Sequence, residues 1–240
     1  TKTSKMVCII PDIPGLGDWA CGGVQAWGKK HGIGVQILTI HPANFSAKEV
    51  MTRAAAMSPD VIVMNLSKGI LLPMMAAAEQ MDLAKSIRFV SSAPAYSSDV
   101  AKRLGPYWKG RFHVNLEFMP THYVGADSRN WVGVMDRYAQ NTDSRDAFSQ
   151  SGYLAAKLVT QVLLKLDARK INRVELSKAL QAVKGFQSDI LCKPFSVGSG
   201  ARHNANSSGP VAVFNGQAWD LLPGGCVTAE DPELADIRKD

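Results

Sequence analysis

The first 118 residues of the chain alternate short apolar runs with segments of helical periodicity. The runs at 7–10 and 61–64 are continuously apolar, as expected for strands covered on both faces. Ser46, followed by Glu49 three residues later, has the pattern of a capping box at the start of a helix. Repeated strand and helix units with short connections specify a parallel sheet, so a doubly wound α/β lobe is predicted. The predicted strands are 7–10, 35–40, 61–64, 87–90 and 112–118, and the helices between them include 19–31 and 72–81, the latter with Pro73 in its first turn.

The pattern changes at Pro120, beyond which helices are predicted instead of strands. Near the end of the chain, Asn215-Gly216 between two apolar runs is a strong signal for a β-hairpin. The predicted fold class is therefore α/β: a doubly wound parallel-sheet lobe, a partial second lobe of helices and a C-terminal hairpin. The later helices are predicted at 128–140, 147–166 and 174–184, the last with Asn172 as its N-cap and Gly185 as its stop.

The net charge of +6 comes from dispersed basic residues that alternate with apolar positions at helical spacing. This pattern is typical of solvated helix faces, so no nucleic-acid partner is expected. No run approaches the roughly 18 apolar residues of a membrane span, so the chain is not expected to span a membrane. No apolar leader is visible after Thr1, so the N-terminus does not indicate where the protein resides.

The four cysteines fall into two pairs of different character. Cys8 lies in an apolar strand and Cys21 on an early helix, so each is interpreted as a small core residue. Cys192 and Cys226 lie in loop-like surroundings rich in glycine and proline, and we predict a disulfide between them, which would fit an oxidising compartment. Two free surface thiols are the alternative. The spacing has no C-x-x-C or Cys/His ligand pattern, which argues against zinc.

Sequence motifs of common enzyme classes are missing. The chain has no G-x-S-x-G elbow, no G-x-x-x-x-G-K-[ST] loop and no H-E-x-x-H motif. Gly15-Leu16-Gly17 after the first strand matches a dinucleotide fingerprint only weakly, because the third glycine and the later acidic residue are missing. We therefore predict a protein that is not an enzyme and needs no cofactor and no metal.

Several short segments, spread over nearly the whole chain, point to a known family. They are Leu16-Gly17-Asp18, Asn44-Phe45-Ser46, Ser58-Pro59-Asp60-Val61-Ile62-Val63, Ala76-Ala77-Ala78-Glu79-Gln80, Ser151-Gly152-Tyr153-Leu154-Ala155-Ala156-Lys157 and Phe214-Asn215-Gly216-Gln217-Ala218-Trp219. On these segments the chain resembles the leucine/isoleucine/valine-type periplasmic binding proteins of ABC importers, which have the type I fold.

The resemblance implies two α/β lobes that are joined by three crossing strands and close on a ligand. It assigns 1–118 to the Rossmann-like second lobe and 119–208 to the helical remainder of the first lobe with its hinge crossings. Residues 209–240 then form the return strands and tail of the second lobe. The family's long N-terminal first-lobe segment has no counterpart here, so apolar surface or a partner segment is expected on the first-lobe helices.

Ligands of parallel sheets bind outside the carboxyl ends of the strands. The corresponding loops are 12–18, 65–69, 91–96 and 117–122. Ser91 and Ser92 are the best polar contacts for a carboxylate or carbonyl, with ordinary turn chemistry as the alternative. Tyr96 is interpreted as an aromatic wall or as a packing residue. Glu117 is expected to share a strand face with Asn115, either facing the ligand or tying down a hinge.

Three further contacts follow from the resemblance. Family members that bind branched-chain amino acids place aromatic residues at the positions of Leu16 and Ser67, and a glutamate for the ligand's ammonium at Ala93. Without that carboxylate a buried ammonium would be costly, unless Glu117 or Asp12 replaces it. The resemblance therefore implies a carboxylate solute rather than a free amino acid.

Other aromatic residues are given structural roles. Trp19 and Trp27 lie about two helical turns apart and are interpreted as core residues rather than a ligand stack. His113 and His122 are interpreted as structural or exposed, because no third ligand-type residue accompanies them.

Taken with the residues, the resemblance predicts a monomeric solute-binding component of an ABC importer, with the permease subunits as partners. The expected location is the periplasm, or the cell exterior with an anchor outside this chain. A ligand-sensing receptor domain of the same fold and a branched-chain amino-acid binder are the alternatives. In each case the solute shifts an open–closed equilibrium and undergoes no reaction.

Overall fold

The structure is a computed structural model that describes residues 5–14, 18–197 and 208–228. The chain forms two compact units. Unit 1 is Thr1–Asn115 with Ala212–Leu221, and unit 2 is Leu116–Val211 with Leu222–Asp240, so the chain passes between the units three times.

A parallel sheet forms the centre of unit 1. Strands β1 to β5 are Lys5–Pro11, Gly34–Ile40, Val61–Met64, Arg88–Ser91 and Phe112–Asn115. They pair in the order β2-β1-β3-β4-β5, and each of these pairs is parallel. The buried run from Val7 to Ile10 in β1 explains why the sequence there is apolar without alternation. The predicted doubly wound parallel sheet is confirmed.

Two C-terminal strands extend this sheet beyond β5. Strands β6 (Ser208–Phe214) and β7 (Trp219–Thr228) are adjacent in it and are joined by a turn in which the Asn215 N–H donates to the Ala218 carbonyl. The Asn215 side chain also accepts from the N–H groups of Gln217 and Ala218. Gly216 has φ +105°, a conformation that glycine adopts without strain, which explains the Asn-Gly signal.

The helices cover the sheet in unit 1 and form most of unit 2. In chain order α1 to α7 are Asp18–His31, Ala47–Ala56, Lys68–Gln80, Ser98–Arg103, Ala126–Tyr138, Ala147–Leu163 and Arg173–Gln181. Short 3-10 turns occupy Leu83–Lys85, Ala93–Ala95, Pro106–Trp108 and Ala168–Lys170. In the described part of the chain, no helix combines the length and apolar content needed to cross a membrane.

Side-chain caps fix the starts of several helices. Ser46 accepts from the Glu49 N–H at the start of α2, and Asn172 accepts from two N–H groups at the start of α7. Asp146 caps α6 in a reciprocal capping box with Ser149. Each of these caps follows a recognisable sequence pattern.

Helix α3 begins at Lys68, earlier than the predicted start at residue 72. Pro73 therefore lies inside the helix and not in its first turn. Proline removes the hydrogen bond to the carbonyl four residues earlier, here that of Gly69, close to the helix start. Strand β5 is also shorter than predicted and ends at Asn115, where the chain leaves unit 1.

Aromatic rings fill the sheet end near the hairpin. Trp108 is 1% exposed and meets Phe89 edge-to-face at 5.2 Å between ring centroids. Its indole N–H donates to Oε2 of Glu79 at 3.0 Å, which satisfies the polar atom of a buried ring. Phe112 and Phe214 pack on Trp219, which holds the hairpin against the parallel strands.

A disulfide joins Cys8 to Cys21, with a Cα–Cα distance of 5.9 Å. Both are fully buried, as interpreted, but the sequence did not indicate that they are bonded to each other. The bond links β1 to α1. A second disulfide joins Cys192 to Cys226 in unit 2, with a Cα–Cα distance of 5.6 Å.

Trp27 is 50% exposed on α1, so its assignment to the core is wrong. Its ring lies 4.6 Å from that of His31, one helical turn later. The side chain of Trp19 lies outside the described residues.

Unit 2 has its own small core. Trp131, Leu154, Phe186, Ile190 and Leu191 are buried together between α5, α6 and the loop that follows α7. Elsewhere on these helices large apolar side chains face solvent, as expected from the sequence. They are Val134, Tyr138, Phe148 and Leu164, of which Leu164 is 81% exposed.

Candidate ligand-binding edge of the sheet

The carboxyl ends of β1, β3 and β4 meet at one edge of the sheet in unit 1, because the three strands are parallel neighbours. Backbone hydrogen bonds hold the first residues beyond the strands in place. The Asp12 N–H donates to the Ile40 carbonyl at 2.7 Å, and the Asn65 N–H donates to the Ile9 carbonyl at 3.1 Å. The loops therefore leave the sheet from defined positions.

Ser91 and Ser92 lie at the end of β4, and their side chains form hydrogen bonds with the end of the neighbouring strand β3. The Ser91 hydroxyl donates to the Met64 carbonyl at 2.6 Å, and the side chain is 2% exposed. The Ser92 hydroxyl donates to Oδ1 of Asn65 at 2.6 Å and is half-buried. Both protons are thus used within the protein, and the hydroxyl oxygens retain only acceptor capacity.

Ser67 and Ala93 lie at the starts of helix α3 and of a 3-10 turn beyond this edge. Ser67 is the extended N-cap residue of α3, and its exposed hydroxyl makes no capping hydrogen bond. Ala93 is half-buried and begins the 3-10 turn that contains Pro94. Neither residue supplies a charge.

An ion pair links the segments that follow β3 and β4. Nζ of Lys68 lies 2.7 Å from Oδ2 of Asp99, and both side chains are about half exposed. The hydrogen bond and the charge of Lys68 lower the pKa of the Asp99 carboxyl below its ordinary value. The positive charge of Lys68 and the negative charge of Asp99 thus neutralise each other.

Tyr96 is 8% exposed, and its ring centroid lies 5.9 Å from that of Trp219. The ring therefore packs within unit 1 and has little surface left for a ligand. Leu16 lies outside the described residues, so the structure gives no position for it.

Glu117 lies in an exposed bend just after β5 and belongs to unit 2. It is exposed like Asn115, with buried Leu116 between them, so the alternation of exposure continues although the strand itself ends at Asn115. Asp12, the other acidic residue considered for an ammonium, is exposed after β1.

Besides the Cys8–Cys21 disulfide, sequence reasoning missed two polar features of the structure. Asn65 was included only as the start of the loop 65–69, although its position directly after β3 was a usable signal. The second feature is a polar cluster in unit 2, where the ends of Asp189, Asp127 and Lys157 meet although they are far apart in the chain.

Asp189 caps helix α5 from a distant part of the chain. Its carboxylate accepts from the N–H groups of Asp127 at 2.7 Å and Ser128 at 3.1 Å, and from the Ser128 hydroxyl at 2.9 Å. Partial burial opposes ionisation, but these hydrogen bonds outweigh it and lower the pKa of Asp189.

Asp127 pairs with Lys157 of α6 within the same cluster, and both side chains are largely buried. The Tyr153 hydroxyl donates to Asp127 at 3.5 Å. Burial, followed by the charge of Asp127, raises the pKa of Tyr153. The cluster joins α5 to α6 and the loop that follows α7, which is a structural function.

His113 is half-buried on β5, where burial, and then the charge of Arg88, lower its pKa. His122 is exposed. Over the described ranges, no three His, Cys, Asp or Glu side chains are grouped in a way that could hold a metal ion. An open depression of about 410 Å³ in unit 2 is lined by residues 187–189 and 191–194 beside the Cys192–Cys226 disulfide.

A family model described as periplasmic binding protein matches residues 2–218 of the chain. Similar solved structures include a leucine-binding protein from Thermotoga maritima, with 12% identity and a TM-score of 0.75. Others are a branched-chain amino acid ABC transporter protein from Thermus thermophilus with bound valine (12%, 0.73) and a solute-binding protein from R. palustris in complex with benzoate (19%, 0.72).

The alignments cover 96%, 99% and 95% of this chain, in that order, but only 61%, 63% and 61% of those proteins. The chain thus spans about three fifths of their length. No curated protein matches the sequence.

Proposed function

The chain belongs to the family of periplasmic binding proteins, and on that premise we propose that it captures a small organic carboxylate for an ABC importer. The proposed contacts are at the carboxyl edge of the unit 1 sheet. They comprise Ser67, Ser92 and Ala93, with Ser91 fixing the strand end, and Leu16 stays among the proposed contacts from the sequence.

The observation that most supports this proposal is the uncharged character of the edge at Ala93. The side chain of Ala93 is a methyl group, and the side chains of Ser67 and Ser92 are neutral. An ammonium placed beside these residues would lose water without gaining a carboxylate partner. A carboxylate can instead accept a hydrogen bond from the neutral Ser67 hydroxyl, which makes no capping bond, so a solute with an acid group and no amine suits the edge better.

The solved relatives are compatible with such a ligand. One structure contains benzoate, and another of similar fold, from Thermomonospora curvata, is a fatty acid substrate-binding protein. A third contains valine, so the fold alone does not choose between acids and amino acids. The choice of a carboxylate depends on the residues of this chain.

The proposal extends to location and partners. Two disulfides suit an oxidising compartment such as the periplasm or cell exterior. The permease subunits of an importer are the proposed partners, and the solute acts by binding one conformation of the protein more tightly than another. A sensing receptor domain would use the same binding step.

Isothermal titration of the intact protein tests the ligand class. The protein is unfolded and refolded first, so that bound solute is removed, and is then titrated with benzoate, octanoate, leucine and valine. We expect binding of at least one carboxylate and no measurable binding of either amino acid. Tight binding of leucine or valine would contradict the proposal.

The variant Ala93→Glu provides the matched control. It adds the carboxylate that the resemblance to amino-acid binders of this family implies at this position. We expect carboxylate affinity to fall by roughly 100-fold, because like charges brought together cost several kcal/mol. Unchanged carboxylate affinity in this variant would place the acid group elsewhere.

A further inference from the structure

Asn65 is the first residue after β3, at the carboxyl edge of the unit 1 sheet. Its N–H donates to the Ile9 carbonyl of the neighbouring strand β1 at 3.1 Å. The position of the residue is therefore set by the sheet itself. The backbone from which the Asn65 side chain extends is thus in place before a ligand arrives.

Ser92 fixes the orientation of the Asn65 amide. Its hydroxyl donates to Oδ1 of Asn65 at 2.6 Å. The strand end that supports Ser92 is itself tied down, because the Ser91 hydroxyl donates to the Met64 carbonyl at 2.6 Å. With Oδ1 held toward Ser92, the NH₂ group of the amide points away from it.

The NH₂ group of Asn65 has two donors and no acceptor partner among the residues that the structure describes. The side chain is half-buried, so these donors are partly withdrawn from water. The Asn65 amide nitrogen is not among the buried polar atoms that lack a partner, so water reaches these donors and a ligand oxygen can take the place of that water.

We propose that Asn65 is the specificity residue for an acid group on the solute, and that Ser92 is the positioning residue that orients it. The inference rests on the proposed function and deepens it. With Oδ1 turned toward Ser92, Asn65 presents its N–H donors to a ligand. An oxygen of a carboxylate accepts them, whereas an ammonium has only donors and would be rejected.

The test is the isosteric variant Asn65→Asp, titrated with benzoate and with its neutral amide, benzamide. One carboxylate oxygen of the new side chain can still accept from Ser92, but the other oxygen replaces the NH₂ group. We expect benzoate affinity to fall by at least ~100-fold, because two carboxylates then face each other. Benzamide, which has N–H donors, should bind the variant better than benzoate, so the preference between the two probes inverts.

Two further variants complete the design. Ser92→Ala frees the amide to rotate and should weaken benzoate binding by roughly 5- to 10-fold, the effect of one lost hydrogen bond. Asn172→Asp makes the same change of charge at the N-cap of α7 in unit 2, where aspartate caps as well as asparagine. It should leave both affinities unchanged.

The outcomes separate the inference from the proposed function. Inversion of the benzoate-to-benzamide preference in Asn65→Asp supports the inference. An unchanged preference, or equal losses for both probes, overturns the inference while the proposed function stands. Failure of the wild-type protein to bind benzoate, octanoate or their amides contradicts the proposed function and the inference with it.

Discussion

A Cβ atom on Gly125 would lie 2.2 Å from Cγ of Asp189. This close approach allows the Asp189 carboxylate to reach the first turn of α5, where it accepts hydrogen bonds from Asp127 and Ser128. Gly125 is the N-cap residue of that helix and has no side chain with which to cap it. A residue far along the chain thus replaces the local cap.

Substitution Gly125→Ala should destabilise unit 2. The backbone at Gly125 is extended, with φ −134°, so the cost comes from the clash with Asp189 rather than from the backbone conformation. We expect a loss of about 1–3 kcal/mol in the free energy of unfolding, measured by urea denaturation. Gly133→Ala on the same helix has open space around the added methyl and is the control. Equal effects of the two substitutions would contradict the account of the cap.

Substitution Asp189→Asn should lower stability at neutral pH by about 1–2 kcal/mol, because the charged cap is lost. The pKa of Asp189 is lowered in the folded protein, so its contribution is present above the unfolded pKa of about 3.9 and is lost as the pH falls through the folded value. The stability difference between wild type and variant should therefore stay constant from pH 7 to about pH 5 and shrink below about pH 4. Urea unfolding of both proteins at pH 7 and at pH 3 measures this difference in the free energy of unfolding. A difference that is larger at pH 3 than at pH 7 would contradict the lowered pKa of Asp189.

Removal of either disulfide by double substitution to alanine should lower stability. The chain-entropy model gives about 3 kcal/mol for Cys8–Cys21, with a separation of 13 residues, and somewhat more for Cys192–Cys226, with 34. Thermal unfolding of the two double variants compares them. Thiol titration of the denatured, unreduced wild type should detect no free thiol, and two or more thiols would show that a bond is missing.

Leu154 and Leu164 form a matched pair at α6 and its C-cap, since Leu154 is 5% and Leu164 is 81% exposed. Leu154→Ala removes packing from the core of unit 2 and should cost about 2–5 kcal/mol. Leu164→Ala should change the free energy of unfolding by less than about 0.5 kcal/mol. Urea denaturation of the two variants is the measurement, and similar losses would mean that Leu164 is covered in solution.

The sheet in unit 1 was predictable because its signals are local. Continuous apolar runs such as Val61–Met64 and the cap at Ser46 identify each strand and helix start without reference to the rest of the chain. The missed disulfide differs, because nothing in an apolar strand and a helix shows that Cys8 and Cys21 face each other. Trp27 was misplaced since an aromatic residue on a helix does not reveal which face the helix buries.

The candidate edge was only partly predictable. Ser91 and Ser92 were found from their position after a strand, but their hydrogen-bond partners, Met64 and Asn65, depend on strand register. The same holds for the cap of α5 by Asp189, which joins residues about 60 positions apart. Sequence spacing cannot supply such contacts, because they form only when the sheet and helices have assembled.

Hydrogen exchange measured by mass spectrometry, with and without saturating benzoate, tests the location of the binding edge most directly. We predict slower exchange in peptides that span 61–69 and 88–97 of unit 1, with Asn65→Asp abolishing the effect. Slower exchange confined to residues 187–194 of unit 2, with no change in the unit 1 peptides, would contradict solute capture at this edge of the sheet.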